Sequence, residues 1–485
     1  GPFRFLKFGK LLSMSQVSNR PEAAQRGDKA ASEASVERSF LLNSKNDISR
    51  RTFVKDTLLV SGAAVLSGCG KKPASNNPVP DRPSTSSNSP KSNGKPQPIL
   101  IGITSDASGQ YAASGEMDRR GMLMAIKEFN DKGGVLGREI QWIHQDTETQ
   151  PATGSRVAER MISRDEVNFL IGGISSGVAN AISQVAQKYG CIYMNTNSSS
   201  PTESGKNAHR VKFVWDGNGT NFAMAIVKNT VKTIGKKWLL LTNDYVWGHN
   251  TSKATRELAE AEGAEIQKEL LVPQNTRDFS SYLLKIQQAR PDVVAVAVGG
   301  DDQKALRQQI KDLGIENRPA WINNQQDWPD VYGLPIFGVF GTTWYYNLEL
   351  PGVKEFVQRY QKENSDARVK VPGNVLYNGY MATRELLGAV ERAGTLNNIA
   401  VIKELEQLKV PAANRMQRHD AYMNPKTHQM QQTIYMATEN KKADRKDEFD
   451  SYKILSSVSP NEAKDTNSEA EAKLESYEDT PTYEP

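Results

Sequence analysis

The chain has 485 residues, of which 24% are charged, and its formal net charge at pH 7 is +5. The excess lies in residues 1–68, which hold 11 Lys and Arg against 6 Asp and Glu, so that the remainder carries 50 of each sign. A neutral remainder argues against nucleic-acid binding. Two cysteines and five scattered histidines exclude a disulfide framework and predict neither a metal site nor a cofactor.

The N-terminal segment predicts export and a lipid anchor. Arg50 and Arg51 form a twin-arginine pair, and a short apolar run follows that ends in Leu-Ser-Gly-Cys at residues 66–69. Charged, apolar and small-residue regions in this order are typical of a secretory leader. The apolar run is too short to span a bilayer. Cys69, directly after the small-residue cleavage site, resembles the cysteine of a bacterial lipobox, and this resemblance implies lipid attachment there.

Composition and periodicity then divide the rest of the chain. Residues 69–98 predict a disordered tether, and residues 457–485, with eight acids against two lysines, predict an acidic disordered tail. From residue 99 short apolar runs alternate with helical spacing, and the alternation restarts after Phe213. This pattern predicts an α/β fold of two doubly wound lobes with parallel sheets. Residues 337–346 are expected to form a strand that returns the chain to the first lobe.

Polar loops follow several predicted strands, where ligands of open parallel sheets bind. Residues 172–177 and 195–201 are rich in Gly, Ser and Asn and each precedes a helix, which suits a carboxylate or carbonyl group. Helix capping is the alternative for any single serine. Trp247, Asp301 and Asp327 follow strands of the second lobe. Both aspartates are expected to accept hydrogen bonds from an ammonium or amide group of a ligand. The alternative for Asp301 is that it only caps a helix. The alternative for Tyr245, beside Trp247, is that it packs in the core.

Residues 173–177 also fit the Gly-x-Ser-x-Gly nucleophile elbow, which makes a serine hydrolase using Ser175 the competing hypothesis. Such an enzyme needs an acid and a histidine downstream. His249, His419 and His428 are present, but none closes a strand–loop unit in the usual way. We therefore do not expect an enzyme.

The chain resembles the Leu/Ile/Val-binding group of type I periplasmic binding proteins, which serve branched-chain amino acid and amide ABC transporters. Residues 130–138, Asn-Asp-Lys-Gly-Gly-Val-Leu-Gly-Arg, carry the resemblance most specifically. Further markers are Ser108-Gly109, Asp146-Thr147, Gly172-Gly173 and residues 244–248 and 278–280. The resemblance implies a Venus-flytrap with a three-strand hinge. Lobe 1 would combine residues 97–216 and 346–420, and lobe 2 residues 217–345 and 421–456.

The resemblance also implies a set of ligand-binding residues. Ser176 takes the position that holds a ligand's carboxylate, and Trp247 that of an aromatic residue which closes on the ligand. Gln325 is neutral where the family's amino acid binders place a glutamate near the ammonium group, which leaves the ligand open. The expected set is Tyr111, Ser176, Asn197, Ser199, Trp247, Asp301, Asp327 and Tyr377.

The function that the resemblance implies is extracytoplasmic solute binding. The protein would be tethered through Cys69 in the periplasm or at the cell surface. It would deliver a small amino acid or amide-like ligand to the membrane subunits of an ABC importer. A ligand-sensing receptor subunit of a signalling system is the alternative within the same fold.

Overall fold

The structure is a computed structural model that describes residues 96–485. The twin arginines, Cys69 and nearly all of the predicted tether lie outside the described residues. None of the helices within residues 96–485 is both long and apolar enough to cross a bilayer.

The first lobe is built on a parallel five-stranded sheet. Its elements alternate in chain order: β1 (Ile99–Ile103), α1 (Ala112–Asp131), β2 (Ile140–His144), α2 (Pro151–Ser163), β3 (Phe169–Ile171), α3 (Ser176–Tyr189), β4 (Tyr193–Asn195) and β5 (Lys212–Val214). The strands pair in the order β2-β1-β3-β4-β5. The helix ends follow from local chemistry, since α2 starts at a proline and α3 ends at Gly190, whose φ of 80° suits glycine.

The second lobe repeats the alternation around a larger sheet. Its elements continue the chain as α4 (Gly219–Thr233), β6 (Lys237–Asn243), α5 (Val246–Ala261), β7 (Glu265–Val272), α6 (Ser280–Ala289), β8 (Val293–Ala297), α7 (Gly300–Asp312), β9 (Ala320–Asn323), α8 (Trp328–Val331) and β10 (Val339–Thr342). Strands β6 to β10 are mutually parallel. The strand predicted at residues 337–346 is shorter and pairs within this second sheet, and the chain returns to the first lobe after it.

The remaining elements belong to both lobes. They are α9 (Val353–Glu363), α10 (Asn374–Ala393), α11 (Asn398–Glu406), β11 (Lys409–Val410), α12 (Ala412–Arg415), β12 (Ala421–Met423), β13 (Met430–Gln431), β14 (Ile434–Glu439), β15 (Tyr452–Val458) and α13 (Thr466–Glu471). Helix α10 packs against α1 so closely that a Cβ on Gly121 would lie 2.1 Å from the Leu376 carbonyl oxygen. Strands β14 and β15 complete the second sheet in the order β15-β14-β10-β9-β8-β6-β7.

The expected boundary at residue 420 is displaced in the structure. Ala421, Met423 and Met430 were assigned to lobe 2, but their side chains lie in the hydrophobic core of the first lobe. They do so because β11, β12 and β13 form a small antiparallel sheet, which a parallel bridge between Val214 and Gln429 attaches to β5. The chain therefore leaves the first lobe only after β13.

A buried polar network joins the three segments that cross between the lobes before β15, near residues 215, 343 and 432. The Nε2 group of Gln417 donates to the Thr343 carbonyl oxygen over 2.7 Å, and that of Gln432 donates to the Trp215 carbonyl oxygen. Arg415, which is fully buried, donates to Gln432 Oε1 over 2.6 Å. These buried hydrogen bonds favour one arrangement of the backbone where the three segments cross, and we call this region the hinge.

The expectation of a disordered tail after residue 457 is wrong. The C-terminal segment, residues 459–485, forms α13 and then lies along the first lobe, where Tyr477 and Tyr483 pack against its core. Tyr483 donates to the Val167 carbonyl oxygen over 2.6 Å. Glu475 accepts from the Arg210 backbone over 2.8 Å and contacts His209 over 2.6 Å. Composition alone suggested disorder, since a count of acidic residues does not reveal that Glu475 has hydrogen-bond partners in a distant part of the chain.

Candidate ligand-binding cleft

The carboxyl ends of the parallel strands of both sheets meet at one cleft. The loops after β1, β3 and β4 line it from the first lobe, and those after β6, β8 and β9 line it from the second. The lining residues are Tyr111, Ile174, Asn197, Ser199, Tyr245, Trp247, Val298, Gly299, Gln303, Gln325, Asp327 and Asp330. This is the position at which open α/β sheets bind ligands. A larger groove of about 620 Å³ beside Tyr332 and Phe449 is lined by none of these six loops.

The cleft is nearly closed, because its cavity measures about 20 Å³. Direct contacts join the two sides. Gln110 donates through Nε2 to the Gly299 carbonyl oxygen over 2.9 Å and accepts from the Asp301 backbone over 3.1 Å. The hydroxyl groups of Tyr111 and Tyr245 are hydrogen-bonded to each other. A space of this size holds about one water molecule, so any larger ligand must enter when the lobes are apart.

Five of the eight expected residues line the cleft. Tyr111, Asn197 and Ser199 lie on the first-lobe side, and Trp247 and Asp327 lie on the second-lobe side. The loops place them there because each loop follows the carboxyl end of a strand. Ser199 also donates to Gln325 Oε1 and so connects the lobes directly.

Ser176, expected to hold a ligand carboxylate, lies behind the cleft. It is fully buried at the start of α3, and its Oγ atom accepts from the Ser200 backbone over 3.1 Å. Its hydroxyl therefore ties two loops together. The residue of its own loop that reaches the cleft is Ile174.

Asp301 and Tyr377 also lie outside the cleft. Asp301 forms ion pairs with Arg277 over 3.3 Å and with Lys304 over 2.9 Å on the exposed side of α7. Tyr377 stacks on Trp344 with ring centroids 5.1 Å apart, and its hydroxyl donates to the Arg415 carbonyl oxygen. Asp301 is thus a surface residue, and Tyr377 belongs to the hinge.

The serine hydrolase alternative finds no support in the geometry. Ser175 is buried at the N-cap of α3. In the part of the chain that the structure describes, no histidine is hydrogen-bonded to it. His249 pairs with Asp244 over 2.7 Å, and His428 contacts Glu406 over 2.9 Å. A serine without a base within reach is not activated as a nucleophile.

Three carboxyl groups lie together at the cleft: Asp327 and Asp330 line it, and Asp216 is buried beside them. Asp216 accepts from Gln325 Nε2 over 2.7 Å, and Asp327 accepts from the same group over 3.2 Å. Asp330 accepts from the Gly300 backbone over 2.9 Å. Burial and then the neighbouring Asp327 raise the pKa of Asp330 to about 7. The same two causes raise the pKa of Asp216, and burial raises the pKa of Asp327. Among the described residues that line the cleft there is no Lys, Arg or His.

Asp118 holds the first-lobe loops in place from behind. Its carboxyl group is fully buried in α1 and accepts from Ser105 over 2.9 Å, from Thr196 over 2.8 Å and from Asn197 over 2.9 Å. Burial raises its pKa to about 8. It therefore joins the loop after β1 to the loop after β4, both of which line the cleft.

Sequence reasoning missed several residues of this site. Asp330 lies three positions after Asp327, so helical spacing within α8 could have placed both carboxyl groups on one side. Gln303 and Asp118 gave no comparable signal, because polar residues in the exposed stripe of a helix have the same spacing. Tyr245, for which core packing was the alternative, lines the cleft beside Trp247.

Two α/β lobes that close on a polar cleft define a bilobed solute-binding protein. Residues 98–444 match the family described as periplasmic binding protein, and the chain belongs to that family. A Leu/Ile/Val-binding protein homolog of Brucella melitensis is 27% identical over 338 residues, which cover 65% of this chain and 82% of that protein. The family consists of solute-binding proteins, and its name implies export to the periplasm.

Solved structures share the fold. A periplasmic binding protein from Burkholderia mallei gives a TM-score of 0.71 at 24% identity, over 77% of this chain and 98% of that one. An amino acid ABC transporter substrate-binding protein from Pseudomonas fluorescens gives a TM-score of 0.67 at 20% identity, over 75% of this chain and 96% of that one. Identities this low establish the two-lobed architecture but not the ligand.

Proposed function

We propose that this protein is an extracytoplasmic solute-binding lipoprotein that delivers a small amino acid or amide-like ligand to an ABC importer. The observation that carries the proposal is the cleft itself, which both lobes line at the carboxyl ends of their sheets. Family membership and the twin-arginine leader with Cys69 support it. The hydrolase alternative has no base beside Ser175.

Lobe closure is the mechanism by which such a protein retains its ligand. A ligand that contacts both lobes stabilises the closed form, because it loses half of its contacts when the lobes separate. Tyr111 and Asn197 supply contacts on one side, and Trp247 and Asp327 supply them on the other. The membrane subunits of the importer can then distinguish the ligand-bound protein from the empty protein by its closed shape.

The test of this mechanism combines a thermal-shift screen of amino acids, amino acid amides and amines with small-angle scattering. A compound that raises the melting temperature is expected to reduce the radius of gyration as well, since binding and closure are coupled. Trp247→Ala should abolish both effects. The matched control is Trp142→Ala, which removes an exposed tryptophan of the first lobe that lies outside the cleft. A tight ligand that produces no compaction would contradict the closing mechanism.

Export and tethering are tested separately in cells. Changing Arg50 and Arg51 to Lys is expected to leave the precursor in the cytoplasm, because the twin-arginine signal is lost. Cys69→Ala is expected to release the protein from the membrane fraction and abolish labelling by a radioactive fatty acid. Cys191→Ala is the matched control, since that thiol is buried in the folded protein. Wild-type protein that stays cytosolic and unlabelled would refute this part of the proposal.

A further inference from the structure

Two buried N–H groups in the cleft have no hydrogen-bond partner in the described protein. They are Nε1 of Trp247, whose residue is 7% exposed, and Nε2 of Gln303, whose residue is 2% exposed. Both residues line the cavity from the second lobe. A buried donor without a partner costs about 1–3 kcal/mol, so their presence at one cavity indicates a ligand that supplies acceptor atoms.

The carboxyl groups at the cavity indicate a second, positively charged group on the ligand. Asp327 and Asp330 line the cavity, and Asp216 adjoins them through Gln325. Lys304 partly offsets the raised pKa of Asp330 but does not line the cavity. Buried carboxylates without a matched cation are costly, and a positively charged ligand group would offset that cost.

The polar side chains of the first lobe that were expected to hold a carboxylate are already engaged. Asn197 donates through Nδ2 to Asp118 and to the Val375 carbonyl oxygen, over 2.9 and 3.1 Å. Ser199 donates to Gln325, and Ser176 lies behind the cleft. A ligand carboxylate would thus meet few available side-chain donors and would lie close to the buried aspartates, which repel it.

We propose that the cleft selects a ligand with one cationic nitrogen group and a neutral carbonyl group, and without a free carboxylate; amino acid amides represent this class. The cationic group would pair with Asp327 and Asp330, the carbonyl oxygen would accept from Trp247 and Gln303, and the rings of Tyr111 and Tyr245 would cover the apolar part. This inference rests on the proposed function and narrows its substrate class from amino acids and amides to cationic amides.

Matched pairs of ligands test the inference directly on the purified protein. L-Leucinamide is compared with L-leucine, and L-phenylalaninamide with L-phenylalanine, by titration calorimetry at pH 7. Each amide that binds is expected to bind tenfold or more tightly than its acid, because only the carboxylate is changed. An acid that binds as tightly as its amide would overturn the inference, and so would binding by neither amide. If such an acid also compacts the protein in scattering, the proposed function stands while the substrate class fails.

Variants locate the effect within the cleft. Asp327→Asn keeps the shape and removes the charge, and it is expected to weaken the bound amide at least tenfold. Trp247→Phe keeps the ring and removes the N–H group, and a loss of about threefold or more is expected. Asp301→Asn is the control, because that carboxylate is paired with Arg277 and Lys304 at the surface. Equal losses in Asp327→Asn and Asp301→Asn would contradict pairing in the cleft.

Discussion

Asp118 shows how one buried carboxyl group controls the shape of a binding site that it does not touch. Its three hydrogen bonds join the loop after β1 to the loop after β4, and Asn197 carries that restraint to the cleft. Gly379 allows α10 to approach, since a Cβ there would lie 2.7 Å from Asp118 Oδ1. Enclosed in this way, the carboxyl group is more stable with its proton than without it.

The stability of the fold is therefore expected to depend on the charge of Asp118. Its pKa is raised from 3.8 to about 8 by burial, so the folded protein keeps a proton that the unfolded chain releases above about pH 4. Its contribution to stability is fully present below about pH 4 and is lost progressively as the pH rises to about 8. Asp118→Asn should make the decline of the unfolding free energy between pH 5 and 7 shallower by up to about 1.4 kcal/mol per pH unit.

Urea unfolding at several pH values measures this slope. The control is Asp131→Asn, which changes an exposed carboxylate of the same helix that pairs with Lys127 at the surface. The control is expected to follow the wild-type profile closely. An Asp118→Asn profile parallel to the wild type would show that Asp118 is ionised in the folded protein.

At the scale of elements, the sequence predicted the strands far better than it predicted the side-chain directions. The apolar run that starts at residue 99 forms β1, because buried parallel strands consist of continuous apolar residues. Loop positions followed from the same pattern. Whether a loop residue faces the cleft depends on the backbone conformation of its loop, as Ile174 and Ser176 show, and periodicity carries no information about that conformation.

Hydrogen bonds and ion pairs between distant segments also could not be predicted from the sequence. Asp301 and Asp327 both follow strands of the second lobe, yet Asp301 pairs with Arg277, 24 positions earlier, while Asp327 is held by Asn374 over 2.7 Å. The negative charge of both residues could not show that Asp301 forms a surface ion pair whereas Asp327 lines the cleft. The C-terminal segment was misjudged for the same reason, since Glu475 meets His209 and the Arg210 backbone, which lie 266 and 265 positions earlier.

At the scale of the whole molecule, the C-terminal segment adds a further link between the lobes. It leaves β15 of the second sheet, and the side chain of Asn221 in α4 donates to the Ala463 carbonyl oxygen. Ser468 in α13 then donates to the Pro201 carbonyl oxygen of the first lobe over 2.8 Å. Residues 475–485 continue along the first lobe. The lobes are thus connected by the three hinge crossings and by this segment within the part of the chain that the structure describes.

Removal of the C-terminal segment is accordingly expected to destabilise the first lobe. A chain that ends at residue 460 loses the packing of Tyr477 and Tyr483 against the core and the contacts of Glu475 with His209 and Arg210. Burial of apolar side-chain surface of this kind is worth about 2 kcal/mol or more, so the urea midpoint should fall. Hydrogen exchange should become faster in β3, because the hydroxyl of Tyr483 binds the chain just before that strand.

Glu478→Ala, at an exposed position of the same segment, is the control and should change neither measurement. An unchanged midpoint after truncation would mean that the first lobe is stable without the segment.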